Sequence, residues 1–194
     1  GSCVESPGVR QQLAAYLQQH QVKLAFVSGR DRGLVQQAIA DYQLPMPDFV
    51  IADVGTSLYL PDASWHHDER WQQQIGVDWR FAQPTDLYAL VADIPGLSLQ
   101  ESHKQGRYKL SFYTPIDWDL TLHETEMQLR FTQQNWQVQL VFSLDEEKQV
   151  GLLDVIPASA GKLGAIRFLM RQLQIEDDAV LFAGDSGNDL DVLC

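Results

Sequence analysis

Apolar residues recur at helical spacing after Pro7-Gly8, at Val9, Leu13, Tyr16 and Leu17, and predict an amphipathic helix there. Lys23 to Val27 is a short apolar run that predicts a buried strand, ending abruptly at Ser28-Gly29-Arg30. A second helical pattern, through Leu34, Val35, Ala38, Ile39 and Tyr42, is broken by Leu44-Pro45-Met46-Pro47, and Phe49 to Ala52 predicts the next strand. Strand, helix and strand with short connections make a parallel βαβ unit, in which ligands collect at the carboxyl ends of the strands.

From about Pro61 the texture changes. Residues 62–81 are polar but carry Trp65, Trp71 and Trp79, and predict a connector with one helix whose tryptophans serve packing more than sugar stacking. A short helix is expected from Thr85 to Asp93. Alternating runs follow at Leu97 to Glu101 and Arg107 to Tyr113, with Gly106 in the turn, then a helix from Leu120 to Gln134. Trp136 to Phe142 and Val150 to Ile156 predict a hairpin about Asp145-Glu146-Glu147-Lys148. This α, β, β, α, β, β order reads as a small α+β module inserted into the α/β unit. After Pro157 the α/β pattern returns, with a helix from Ala160 to Gln172 and an all-apolar strand from Ala179 to Ala183.

The formal net charge is −12 over 194 residues, which repels nucleic acid and anionic membrane. No apolar run approaches membrane-spanning length. The two cysteines, Cys3 and Cys194, make no disulfide framework, and a reducing cytoplasm is the expected compartment, although a bridge between them is left open. Adjacent His66 and His67 lack a third ligand at metal spacing.

Three places carry chemistry. Gly184-Asp185-Ser186-Gly187-Asn188-Asp189 follows an apolar strand, and two carboxylates four residues apart there can approach one Mg²⁺, which prefers oxygen ligands. The alternative is an Asx turn capping the next helix. Ser28-Gly29-Arg30 offers a hydroxyl and backbone N–H groups to a phosphate, or else a plain helix N-cap. Lys162 opens a helix, where the macrodipole disfavours a cation unless an anion is served; the alternative is a solvated surface lysine.

In this order and setting, the three resemble motifs two, three and four of the haloacid dehalogenase superfamily. With Val27-Ser28-Gly29-Arg30 and Val54-Gly55-Thr56, they look most like its sucrose-phosphate and mannosylfructose-phosphate phosphatase branch. The resemblance implies an α/β fold: a Rossmann-like core with a parallel sheet at 1–60 and 157–194, and an α+β cap inserted at 61–156. It implies a cytoplasmic, Mg²⁺-dependent hydrolase that takes a sugar phosphate through an aspartyl-phosphate. Ser28, Gly29, Arg30 and Asn188 would hold the phosphoryl group, and Lys162 would neutralise its charge. Asp185 would ligate Mg²⁺ directly and Asp189 would support it. Lys109 matches a sugar-facing lysine of that branch, and Glu101, Gln105 and Asp154 are further polar residues able to reach hydroxyls.

The sequence departs from the pattern at the nucleophile. The family's first motif, Asp-x-Asp-x-Thr or Ser, belongs on a strand before the first helix, yet no aspartate precedes Gly8. The expectation is therefore a trimmed chain, lacking the first core strand and the C-terminal part, that does not itself turn over phosphate esters. The rival readings are a non-catalytic sugar-phosphate-binding domain, like that fused to some sucrose-phosphate synthases, and phosphotransfer between sugars.

Overall fold

The computed structural model describes residues 7–62, 64–184, 189 and 192. Helix α1 (Pro7–Gln19) opens the chain, followed by β1 (Ala25–Val27), α2 (Arg32–Tyr42) and β2 (Phe49–Ala52). Strands β1 and β2 pair in parallel with Ala25 opposite Phe49, as the βαβ pattern predicts. A tight 3₁₀ turn (Asp53–Gly55) then reverses the chain into β3 (Ser57–Leu60), which runs antiparallel to β2, and β4 (His66–His67) completes the sheet in the order β1-β2-β3-β4. Strand β4 lies in the stretch predicted as a connector, which also holds the single helix α3 (Glu69–Gly76), while β3 falls on residues for which no element was predicted.

The second sheet is antiparallel throughout, in the order β5-β6-β8-β7. It is built from α4 (Pro84–Val91), β5 (Ser98–Leu99), β6 (Leu110–Pro115), α5 (Leu120–Gln133), β7 (Val138–Asp145) and β8 (Val150–Pro157), the order expected of the inserted module. Helix α6 (Gly161–Leu173) returns the chain to the first sheet.

Two expectations fail. The run from Ala179 to Ala183 is no strand: Asp177–Ala179 is a 3₁₀ turn, residues 180–184 join no sheet, and Leu181 is 97% exposed. Nor is β1 buried, because it pairs on one side only and Ala25 is exposed. Both have one cause. A strand's backbone needs a ladder partner on each edge to be buried; among the described residues β1 has one only on its β2 side, and residues 180–184 have none.

One apolar cluster joins the two sheets. It runs from Ile51 and Leu58 through Trp71, Ile75 and Trp79 to Phe112, Leu153 and Phe168. Trp71 and Trp79 are fully buried, and Trp65 is buried in a smaller cluster beside Tyr59, so all three tryptophans pack as expected. No helix of the described residues is long and apolar enough to cross a membrane.

Candidate active site

The carboxyl ends of β1 and β2 and the start of α6 share one rim. Ser28 extends the β1 pairing by donating its N–H to the Ile51 carbonyl at 2.9 Å, and its Oγ accepts from the Arg30 N–H at 3.1 Å. The helix cap is a different residue: Asp31 accepts the Leu34 N–H at 3.0 Å, so Ser28 is released from that structural duty. The Arg30 carbonyl accepts from the Asp53 N–H at 2.9 Å, which ties the Ser28-Gly29-Arg30 turn to the 3₁₀ turn after β2.

That 3₁₀ turn is strained. Asp53, Val54 and Gly55 have φ of +51°, +57° and +94°, and left-handed backbone at a β-branched valine is rare. Several bonds hold it. Thr56 donates its N–H and Oγ1 to the Asp53 carbonyl at 3.1 and 2.9 Å, Trp71 Nε1 donates to the Gly55 carbonyl at 3.1 Å, and Gln72 Nε2 donates to the Thr56 carbonyl at 2.8 Å. Gly55 lies against the start of α6: a Cβ there would meet the Gly161 carbonyl carbon at 2.1 Å and the Lys162 nitrogen at 2.6 Å. The turn thereby sets the height at which Lys162 enters the rim.

Lys162 is buried, 8% exposed, with its Nζ 2.6 Å from Asp189 Oδ1, and Asp189 is 5% exposed. The solvated-lysine alternative is excluded. Gly184 packs against Asp189: a Cβ there would fall 2.7 Å from the Asp189 carboxylate carbon. Of the remaining predicted residues, Asp185 and Asn188 lie outside the described residues, as do Cys3 and Cys194. Ser28 and Arg30 line the cavity beside Leu181, Phe182 and Ala183, the segment leading to Gly184.

The second sheet presents its own polar group to this rim. Lys109 Nζ stands 3.9 Å from Asp53 Oδ1, with both side chains largely buried. Asp154, half-buried on β8, accepts a hydrogen bond from Ser111 Oγ. Burial pushes the Asp154 carboxyl above the ordinary carboxylate range and Asp53 adds to this, while Lys109, Ser111 and Lys104 pull the other way. Glu101 accepts from Tyr113 OH at 2.9 Å and stays exposed. Gln105 spends its amide on backbone, accepting the Ser111 N–H at 2.8 Å and donating to the carbonyls of Gln100 and Ser111. In this geometry Gln105 splints a loop to β6. Asp53 was missed in the sequence; two consecutive non-glycine residues at positive φ are the signal, and it is visible only in three dimensions.

The family model for sucrose-6F-phosphate phosphohydrolases matches residues 6–194. The chain belongs to this family. A HAD-like hydrolase of Nitrosococcus oceani is 45% identical over 196 residues, covering all of this chain and 52% of that protein. The mannosylfructose-phosphate phosphatase of Agrobacterium fabrum is 30% identical over 169 residues, covering 86% of this chain and 62% of that protein. Against these relatives and the tobacco sucrose-phosphatase 2, of which it covers 38%, the chain spans less than two thirds of their length. The sucrose-phosphatase of Synechocystis, solved with sucrose and phosphate, superposes with a TM-score of 0.78 at 23% identity, over 98% of this chain and 74% of that one. The fold is that of the haloacid dehalogenase superfamily.

The family's first motif has one literal counterpart here, Asp117-Trp118-Asp119-Leu120-Thr121. It follows β6 and precedes α5, but Asp119 caps that helix by accepting the Leu122 N–H at 3.2 Å. Lys109, beside Asp53, precedes the start of β6, and about 20 Å of extended strand separates it from this string. The string is a helix start and brings no nucleophile to the rim.

Proposed function

We propose that the protein is a Mg²⁺-dependent phosphatase that releases phosphate from a sugar phosphate of the disaccharide kind through an aspartyl-phosphate. The observation that carries this reading is the buried Lys162–Asp189 pair, at 2.6 Å, on the rim that β1, β2 and α6 build together. A family phosphatase needs a fixed cation and a carboxylate at that place.

Asp185 and Asp189 would hold the Mg²⁺; Asp189 offers the hard carboxylate oxygen this ion prefers, and Gly184 leaves it room. Bound there, the ion would supply Lewis-acid neutralisation of the phosphoryl oxygens. Ser28 Oγ, the Gly29 N–H and, once turned from Ser28 Oγ, the Arg30 N–H would bind those oxygens, and the family resemblance adds Asn188. Lys162, already oriented by Asp189, balances the charge that develops in transfer, and such preorganised charge needs no rearrangement as the reaction proceeds.

The attacking carboxylate belongs to the family's first motif. The aspartate oxygen would bond to phosphorus as the P–O bond to the sugar breaks, the departing sugar oxygen taking a proton from water. Water then releases inorganic phosphate and regenerates the carboxylate. Residues 61–156 act as the cap over this rim, with Lys109, Glu101 and Asp154 on the sugar side. The acidic surface disfavours nucleic acid and anionic membrane as partners, and a cytoplasmic setting belongs to the same reading.

The test is phosphate release by the full-length protein from a panel of mono- and disaccharide phosphates. Activity is expected with Mg²⁺ and none with excess EDTA. Lys162→Met is expected to lower kcat/KM by about 100-fold or more, as for other preorganised charge-stabilising groups. Failure to release phosphate from every member of the panel ends the proposal in favour of a non-catalytic binding domain.

A further inference from the structure

We infer that Asp53 is a specificity-determining residue that binds a sugar hydroxyl jointly with Lys109, a deepening that rests on the phosphatase reading above. The Asp53–Lys109 pair is the one ion pair, among those of the described residues, that joins the two sheets. At 3.9 Å it is too long for a direct hydrogen bond, and neither side chain makes a hydrogen bond to another described side chain. The gap is suited to one amphoteric oxygen. A hydroxyl drawn into it accepts from the Lys109 ammonium and donates to the Asp53 carboxylate, and both bonds are charge-assisted.

Three further observations point the same way. Asp53 holds φ +51° within a run of left-handed residues that Thr56 and Trp71 clamp, so the carboxylate is fixed at the cost of backbone strain. It also lines a groove of about 870 Å³ running between Tyr59, His67 and Tyr108, whose volume lies within the range of small-molecule sites. The groove wall mixes aromatic faces with Glu69 and Gln73, a lining that suits a neutral polyol better than an apolar guest. Asp53 thus stands on the wall of a groove lined from both sides, with Lys109 beside it at 3.9 Å.

The experiment compares the full-length protein with Asp53→Gly and Asp53→Asn. Glycine adopts positive φ freely and asparagine tolerates it, so both variants are expected to melt within a few degrees of the parent. With a disaccharide phosphate, Asp53→Gly is expected to lose about 10- to 100-fold in kcat/KM, mainly through KM, with Asp53→Asn partly rescuing the loss. With p-nitrophenyl phosphate, which carries no sugar hydroxyls, neither variant is expected to change by more than about twofold. Equal losses on both substrates would assign Asp53 a merely structural role and overturn the inference, as would no loss on either. If the parent releases no phosphate at all, the phosphatase reading falls, and sucrose binding followed by saturation-transfer NMR decides about Asp53 alone. Binding lost in Asp53→Gly supports it, and equal or absent binding in parent and variant overturns it.

Discussion

Asp154 is a carboxyl held where its charge is costly. Burial and the nearby Asp53 raise its pKa, and the Ser111 hydroxyl and Lys109 offset this only in part. A carboxyl whose folded pKa lies above its unfolded value stabilises the fold fully below the unfolded pKa. That contribution is lost as pH rises through the folded pKa. Asp154→Asn copies the neutral form and can still accept from Ser111 Oγ, so it is expected to raise the melting temperature at neutral pH. The gain should shrink towards zero on acidification; thermal melts of both proteins across that range check it. Retaining an unfavourably buried carboxyl beside Lys109 fits a site kept for ligand binding at some expense of stability. Sequence reading named Asp154 and Lys109 but not Asp53, because nothing in the string Ala52-Asp53-Val54-Gly55 announces that the chain turns left-handed one residue early.

Among the elements, the turn Asp53–Gly55 couples most of the rest. It closes β2, starts the reversal into β3, and bears on the first residues of α6. Gly55→Ala combines a strained φ with overlap against Gly161, backbone against backbone, where no side chain can yield. The left-handed conformation alone costs about 1–2 kcal/mol for an L-residue, and the overlap adds to it. The variant is expected to unfold at lower denaturant and, because Lys162 shifts with the helix start, to lose phosphate release beyond its loss of stability. Denaturant midpoints and kcat at permissive temperature separate the two effects. The helices and the second sheet were legible from periodicity and turn residues, while β4 was hidden in a polar stretch and β3 is too short to carry a pattern; their pairing with β3 and β2 is chosen by tertiary contact.

At the scale of the molecule, the single apolar cluster makes the two sheets one folding unit. Trp71 stands at the junction: fully buried, 5.1 Å from the Phe168 ring of α6, and bonded to the Gly55 carbonyl. Truncating so large a core side chain costs about 3–5 kcal/mol. Trp71→Ala is therefore expected to lower stability at both sheets together, with tryptophan fluorescence and far-UV circular dichroism following one shared transition. Separate transitions for the two probes would show that the sheets are energetically independent.

Local patterning was enough for the class of fold and for most of the element order, because those follow from periodicity and turn residues along short stretches. Packing decided the rest. Whether Ala179 to Ala183 becomes a strand depends on a neighbour's backbone and not on its own apolar residues, and Leu181 lies exposed where no ladder partner meets it. The meeting of Asp53 with Lys109, 56 positions apart in numbering and on different sheets, is likewise a property of the assembled core, since only the third dimension brings two such charges within 3.9 Å.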